Sequence, residues 1–121
     1  MAIREPRILI INSNIDQSNI LLAILEQQHF EAKVASELKQ AIVYLREYQP
    51  SLVFLDYPLP NNVEFDVIPT IHFFNEKTKV VVISADVSEA IKQTPFGEDG
   101  FYFLSKPISP QSVSDVMAAI R

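Results

Sequence analysis

The sequence predicts an open α/β fold, in which a parallel sheet carries helices on both faces. Three observations point there. Wholly apolar runs recur at strand length, ILII at 8–11, LVFL at 52–55 and VVVI at 80–83. Segments with apolar residues at helical spacing lie between them, and each run closes on a polar residue. A run without polar alternation suits a strand buried on both faces, as in a parallel sheet covered by helices. Strands alternating with helices imply right-handed crossovers.

The elements follow in order. Arg7–Ile11 reads as the first strand and stops at the polar cluster Asn12, Ser13, Asn14. Ile20, Leu21, Ile24 and Leu25 then recur at i, i+1, i+4 and i+5, a helical stripe with Asp16 or Ser18 as N-cap. Phe30–Ala35 has the weaker alternation of a second strand. Ser36 caps a helix with Leu38, Ala41, Ile42 and Leu45 on one face, ended by Gln49 and Pro50 because the residue before proline disfavours helix. The third strand, in the segment Ser51–Pro60, is apolar through Leu55 and ends in Asp56. A loop over Tyr57–Asn62 leads to a helix from about Val63 to Phe74. Pro69 within it predicts a late start or a kink, since proline lacks an amide and clashes with the preceding turn. Lys79–Ser84 is the fourth strand, and Asp86–Gln93 a short helix terminated by Pro95 and Gly97. Phe101–Leu104 is the fifth strand. Ser109 as N-cap and Pro110 at the first helical position open the last helix, whose stripe is Val113, Val116, Met117 and Ile120.

Composition narrows the function. The 121 residues fit a single domain, 1–121, with any output module on another chain. A net charge of -5 disfavours nucleic acid and anionic membrane as partners, because both need a basic surface. Zero Cys removes disulfides and thiolate chemistry, and two Gly cannot build a Gly-rich phosphate loop. No run is long enough for a signal peptide or membrane span, so a cytoplasmic location is expected.

Chemistry concentrates at the carboxyl ends of the strands, where open α/β sheets bind ligands. The first strand delivers Asn12 and Ser13, the third Asp56, the fourth Ser84, and Lys106 follows the fifth. A carboxylate is a nucleophile that can form an acyl phosphate. A lysine and a hydroxyl can hold phosphoryl oxygens where negative charge accumulates.

On these residues the chain resembles the response-regulator receiver family of two-component signalling over essentially its whole length. The matching segments are RILIINSN, LVFLDYPLP, VVVISA and FLSKPIS. The resemblance implies a flavodoxin-like (βα)5 fold with strand order 2-1-3-4-5. It implies Asp56 as phosphoacceptor, Ser84 and Lys106 as the phosphoryl-sensing pair, Phe103 as the switch aromatic, and a cis peptide before Pro107. It also implies a histidine kinase or phosphotransfer protein and a separate output protein as partners, and admits a homodimer.

The departures are specific. The family usually places two acidic residues where this chain has Asn12 and Ser13, and those carboxylates hold Mg2+. A hard cation prefers charged oxygens, so a site left with Asp56 as its anionic ligand binds Mg2+ weakly, and Mg2+-dependent phosphorylation is expected to be impaired. Glycines common in the loop after the phosphoacceptor are replaced by Asn61 and Glu64, so that loop takes another path and Glu64 is a candidate to bring a carboxylate to the crevice. Phe103 has no hydroxyl to offer a partner.

Plainer readings stand beside these. Asp56 and Lys106 alone make an ion pair that satisfies two polar groups at a sheet edge. Ser84 alone is a strand-ending hydroxyl bonded to nearby backbone. The aromatic cluster of Phe96, Phe101, Tyr102 and Phe103 reads first as packing, with Tyr102 the better surface candidate. His29 and His72 lack ligand spacing, and Asp86, Glu89, Glu98 and Asp99 read as a solvated rim. Three functions remain: a phosphorylated receiver, a degenerate receiver that acts by binding alone, and a small flavodoxin-like enzyme or ligand-binding domain. The enzyme is the weakest, for want of a second general acid or base.

Overall fold

Among the described residues, five strands and four helices form where the alternation predicts them. The computed structural model describes residues 6–60, 64–86, 88 and 101–120. In chain order they are β1 (Ile8–Ile11), α1 (Ile15–Gln27), β2 (Ala32–Ala35), α2 (Leu38–Glu47), β3 (Leu52–Tyr57), α3 (Glu64–Phe74), β4 (Lys79–Ser84), β5 (Phe101–Ser105) and α4 (Pro110–Ile120). Apart from Asp86 and Ser88, the helix expected over Asp86–Gln93 lies outside the described residues, as do its terminators Pro95 and Gly97, and Phe96, Glu89, Glu98, Asp99 and Asn61.

All strand pairs are parallel, in the order β2-β1-β3-β4-β5. The three uninterrupted apolar runs are the three inner strands, and nearly every residue in them is buried. The edge strands β2 and β5 are only partly buried. Alternate side chains sort into two cores. Leu9, Ile11, Val53, Leu55, Val80 and Val82 pack with α2 and α3 on one face. Ile8, Ile10, Leu52, Phe54, Val81 and Ile83 pack with α1 and α4 on the other. Tyr102 faces this second core, whereas Phe101 and Phe103 face the first; all three are half-buried.

Local details correct several expectations. The N-cap of α1 is Asn14, not Asp16 or Ser18, and its Oδ1 accepts from the Gln17 amide at 3.1 Å. The buried stripe is Ser18, Leu21, Ile24 and Leu25, which leaves Ile20 54% exposed. At α2 the cap position is Glu37, without a side-chain bond; Ser36 precedes it and donates its amide to Gln40 Oε1 at 3.0 Å. α3 starts at Glu64 and runs through Pro69, so the start is not delayed. Thr70, next to that proline, donates its hydroxyl to the Asp66 carbonyl at 2.8 Å, four residues back. His72 is a packing residue: its ring meets Phe101 edge-on at 5.5 Å, and Nε2 lies 3.2 Å from the Thr78 carbonyl. Among the described residues no helix is long and apolar enough to cross a membrane.

Candidate functional site

The strand order makes the site. With β1 between β2 and β3, successive connections leave in opposite directions from β1 and β3, and a crevice opens above their carboxyl ends. Ile11 is level with Leu55, so Asn12 and Asp56 follow at the same height on neighbouring strands. Asp56 has the parity of Phe54 and faces the α1–α4 side. It is 9% exposed.

Lys106 reaches it from the turn after β5, with Nζ 2.7 Å from Oδ1. That oxygen is buried and has no partner in hydrogen-bond geometry. The ammonium is therefore its one charged neighbour among the described residues, and the contact is a close charge pair shielded from solvent. The turn is held by the Lys106 amide donating to the Ser84 carbonyl at 2.9 Å. The peptide before Pro107 is cis, as expected, and so is the one between Tyr57 and Pro58.

Asn12 is buried and hydrogen-bonded at both ends of its amide. Its Nδ2 donates to Gln17 Oε1 at 3.2 Å, and its Oδ1 accepts from the Asn14 amide at 2.9 Å. Ser13 is exposed and does not line the crevice. Ser84 is one residue higher than Asp56, level with Tyr57 and Ser105. Its hydroxyl is engaged by the following turn, donating to the Asp86 carbonyl and accepting from the Asp86 amide, both at 3.0 Å. Phe103 is level with Val82, on the face that strand alternation also gives Ser84. The structure therefore brings Asn12, Asp56 and Lys106 together, and sets Ser84 and Phe103 on the other side of the sheet.

Two residues at the site were not legible as such. Gln17 holds the Asn12 amide, a contact fixed by the first turn of α1, and Ile20 lines the crevice. Asparagine followed five residues later by glutamine is the only sequence sign of the first. The oxygens available to Mg2+ fit it poorly: one carboxylate already paired with Lys106, and an Asn12 oxygen already accepting a hydrogen bond. No group of three His, Asp or Glu among the described residues could hold a metal. The side chain of Glu64 lies outside the described residues.

Strand order 2-1-3-4-5 and an aspartate–lysine crevice at its switch point define a flavodoxin-like α/β domain. The chain belongs to the response regulator receiver domain family of two-component systems, whose model matches residues 8–118. Similar curated proteins include the DNA-binding response regulator MtrA of Mycobacterium tuberculosis (strain ATCC 25618 / H37Rv), 27% identical over 97% of this chain and 51% of its own. The transcriptional regulatory protein BaeR of Escherichia coli O6:H1 is 25% identical over 89% of this chain and 45% of its own. The chain thus spans about half the length of the curated relatives it matches. Among solved structures, chemotaxis response regulator CheY4 of Vibrio cholerae superposes with TM-score 0.83 at 14% identity, covering 98% of this chain and all of its own. A signal receiver domain from Bermanella marisrubri gives 0.80 at 21%, covering 96% and 98%.

Proposed function

We propose that this receiver domain keeps Asp56 as phosphoacceptor for a histidine kinase or phosphotransfer protein, that Mg2+-dependent phosphorylation of it is impaired, and that it signals to a separate output protein by contact. One observation carries the reading: a buried carboxylate at the end of β3 meets the lysine of the cis-proline turn at 2.7 Å, with neutral Asn12 where a second acid would help hold Mg2+. In transfer, a carboxylate oxygen of Asp56 attacks phosphorus, and the bond from phosphorus to the donor breaks with its electron pair leaving on the donor. Lys106 swings from the carboxylate to a phosphoryl oxygen. Ser84 must release the Asp86 backbone to follow, and Phe103, on the same face, repacks behind it. The net charge of -5 and family membership support a cytoplasmic location and a partner other than nucleic acid, although the longer relative MtrA is a DNA-binding response regulator.

A second reading, a receiver that acts without phosphorylation, is favoured by the Ser84 hydroxyl, which already has both a donor and an acceptor in its own turn. Incubation with acetyl phosphate and Mg2+, followed by intact mass, separates the two. The first reading expects a slow phosphoryl adduct that Asp56→Asn abolishes. No adduct at any Mg2+ concentration leaves the second.

A further inference from the structure

The first turn of α1 closes a ring of amides at the edge of the crevice. The Asn14 amide donates to Asn12 Oδ1 at 2.9 Å, the Gln17 amide donates to Asn14 Oδ1 at 3.1 Å, and Asn12 Nδ2 donates to Gln17 Oε1 at 3.2 Å. The ring has one polarity. A backbone N–H can only donate, so Asn12 must turn its oxygen toward Asn14 and its nitrogen toward Gln17. Gln17 meets that nitrogen with Oε1, which leaves its own Nε2 without a hydrogen-bond partner among the described residues. Among those residues, the side-chain N–H groups lining the crevice are those of Asn12, Gln17 and Lys106. Gln17 stands on α1 and Lys106 on the turn before α4, the two helices that cover the face Asp56 points to. Oδ1 of Asp56 is closed off against Lys106, so the carboxylate meets the crevice through Oδ2.

We propose that Gln17 Nε2 is a ligand for a phosphoryl oxygen on Asp56 and, with Lys106, lets that group be taken up without Mg2+. The inference rests on the reading of Asp56 as phosphoacceptor. N–H donors at the edge of the crevice suit an oxyanion for the same reason that they suit a metal ion poorly. The ring also fixes Gln17 beforehand: Oε1 is tied to the buried Asn12, and the backbone amide is tied to the N-cap of α1. A donor held in place before charge arrives stabilises it without reorganising. With acetyl phosphate as donor, a lone pair on Asp56 Oδ2 forms the new bond to phosphorus. The bond from phosphorus to the acetyl oxygen breaks, its electron pair leaves with acetate, and no proton is transferred.

The test follows intact mass of the full chain over time with acetyl phosphate, once in EDTA and once in Mg2+. An adduct on Asp56 is expected in EDTA at a rate within about threefold of that in Mg2+. Gln17 is exposed, so its variants should fold. Gln17→Met keeps the length of the side chain and removes the amide. Gln17→Glu keeps an acceptor for Asn12 and removes the N–H, with methionine as the control for the charge that glutamate brings. Loss of a hydrogen bond to a charged oxygen predicts that each variant reacts at least about tenfold more slowly in EDTA. The side-chain amide signal of Gln17 should also shift in nitrogen-15 NMR as the adduct forms, which a role confined to orienting Asn12 does not require. An adduct that forms in Mg2+ alone overturns the inference and leaves Asp56 as phosphoacceptor. No adduct in either condition overturns both. An adduct in EDTA that Gln17→Met does not slow, that Gln17→Glu forms as fast as the wild type, or that leaves the Gln17 signal unmoved overturns the inference alone.

Discussion

His29 and Gln49 hold backbone φ of 68° and 53°, left-handed values that a Cβ makes unfavourable. His29 closes α1: its amide donates to the Glu26 carbonyl at 3.0 Å, and the Phe30 amide reaches back to Leu25 at 2.9 Å. Glycine is the usual residue at such a helix end. A left-handed non-glycine residue costs about 1–2 kcal/mol, and glycine returns about 0.5–1 kcal/mol of that as extra entropy in the unfolded chain. His29→Gly should therefore stabilise the domain by about 0.5–1 kcal/mol, read as a higher urea midpoint with unchanged slope. A lower midpoint would mean that the imidazole makes a contribution exceeding the backbone cost. At the same scale, the site was only partly readable. Asp56 stands out in sequence because it ends a run that must be buried. The Ser84 hydroxyl bonds nearby backbone, as the plainer reading of a strand-ending hydroxyl expects, and only the residue it meets, Asp86, is set by the path of the turn.

Along the elements, the inner strands were the most legible part of the chain. β1, β3 and β4 carry apolar side chains on both faces, and only a central position in a parallel sheet gives both faces a core. The helix phase was harder to read. In α1 the four apolar residues Ile20, Leu21, Ile24 and Leu25 span two adjacent lines on the helix surface, and periodicity cannot say which line faces the sheet. Ser18 took the buried place that Ile20 was expected to share, and its Oγ has no hydrogen-bond partner. Three substitutions test this phase. Leu25→Ala, at a fully buried position, should cost about 2–5 kcal/mol. Ile20→Ala should cost well under about 1 kcal/mol. Ser18→Ala should stabilise by about 1 kcal/mol, since it removes an unsatisfied hydroxyl and improves helix propensity. Equal losses for Leu25 and Ile20 in chemical denaturation would contradict the observed burial.

At the scale of the whole molecule, the strand order turns two distant stretches into neighbours. Asn12 and Asp56 lie far apart in sequence, yet β1 and β3 are adjacent and in register, so a substitution at one changes the field at the other. Ser13, its immediate neighbour, points outside the crevice. The two departures from the family's acidic pair should therefore have unequal effects, which their adjacency in sequence hides. A unit charge at contact distance interacts with another at about 4 kcal/mol for an effective dielectric near 20. Even after the cost of displacing water and of rearranging Gln17, Asn12→Asp should raise Mg2+ affinity by at least about tenfold. Ser13→Asp alone should raise it by no more than about threefold, since an exposed charge is screened by solvent and salt. Isothermal titration of both single variants and the double checks this. A double variant that binds Mg2+ no better than the starting protein would show that the Lys106 pairing, and not the missing acids, limits the metal. Lys106→Ala in the same background would then have to restore binding for that account to stand.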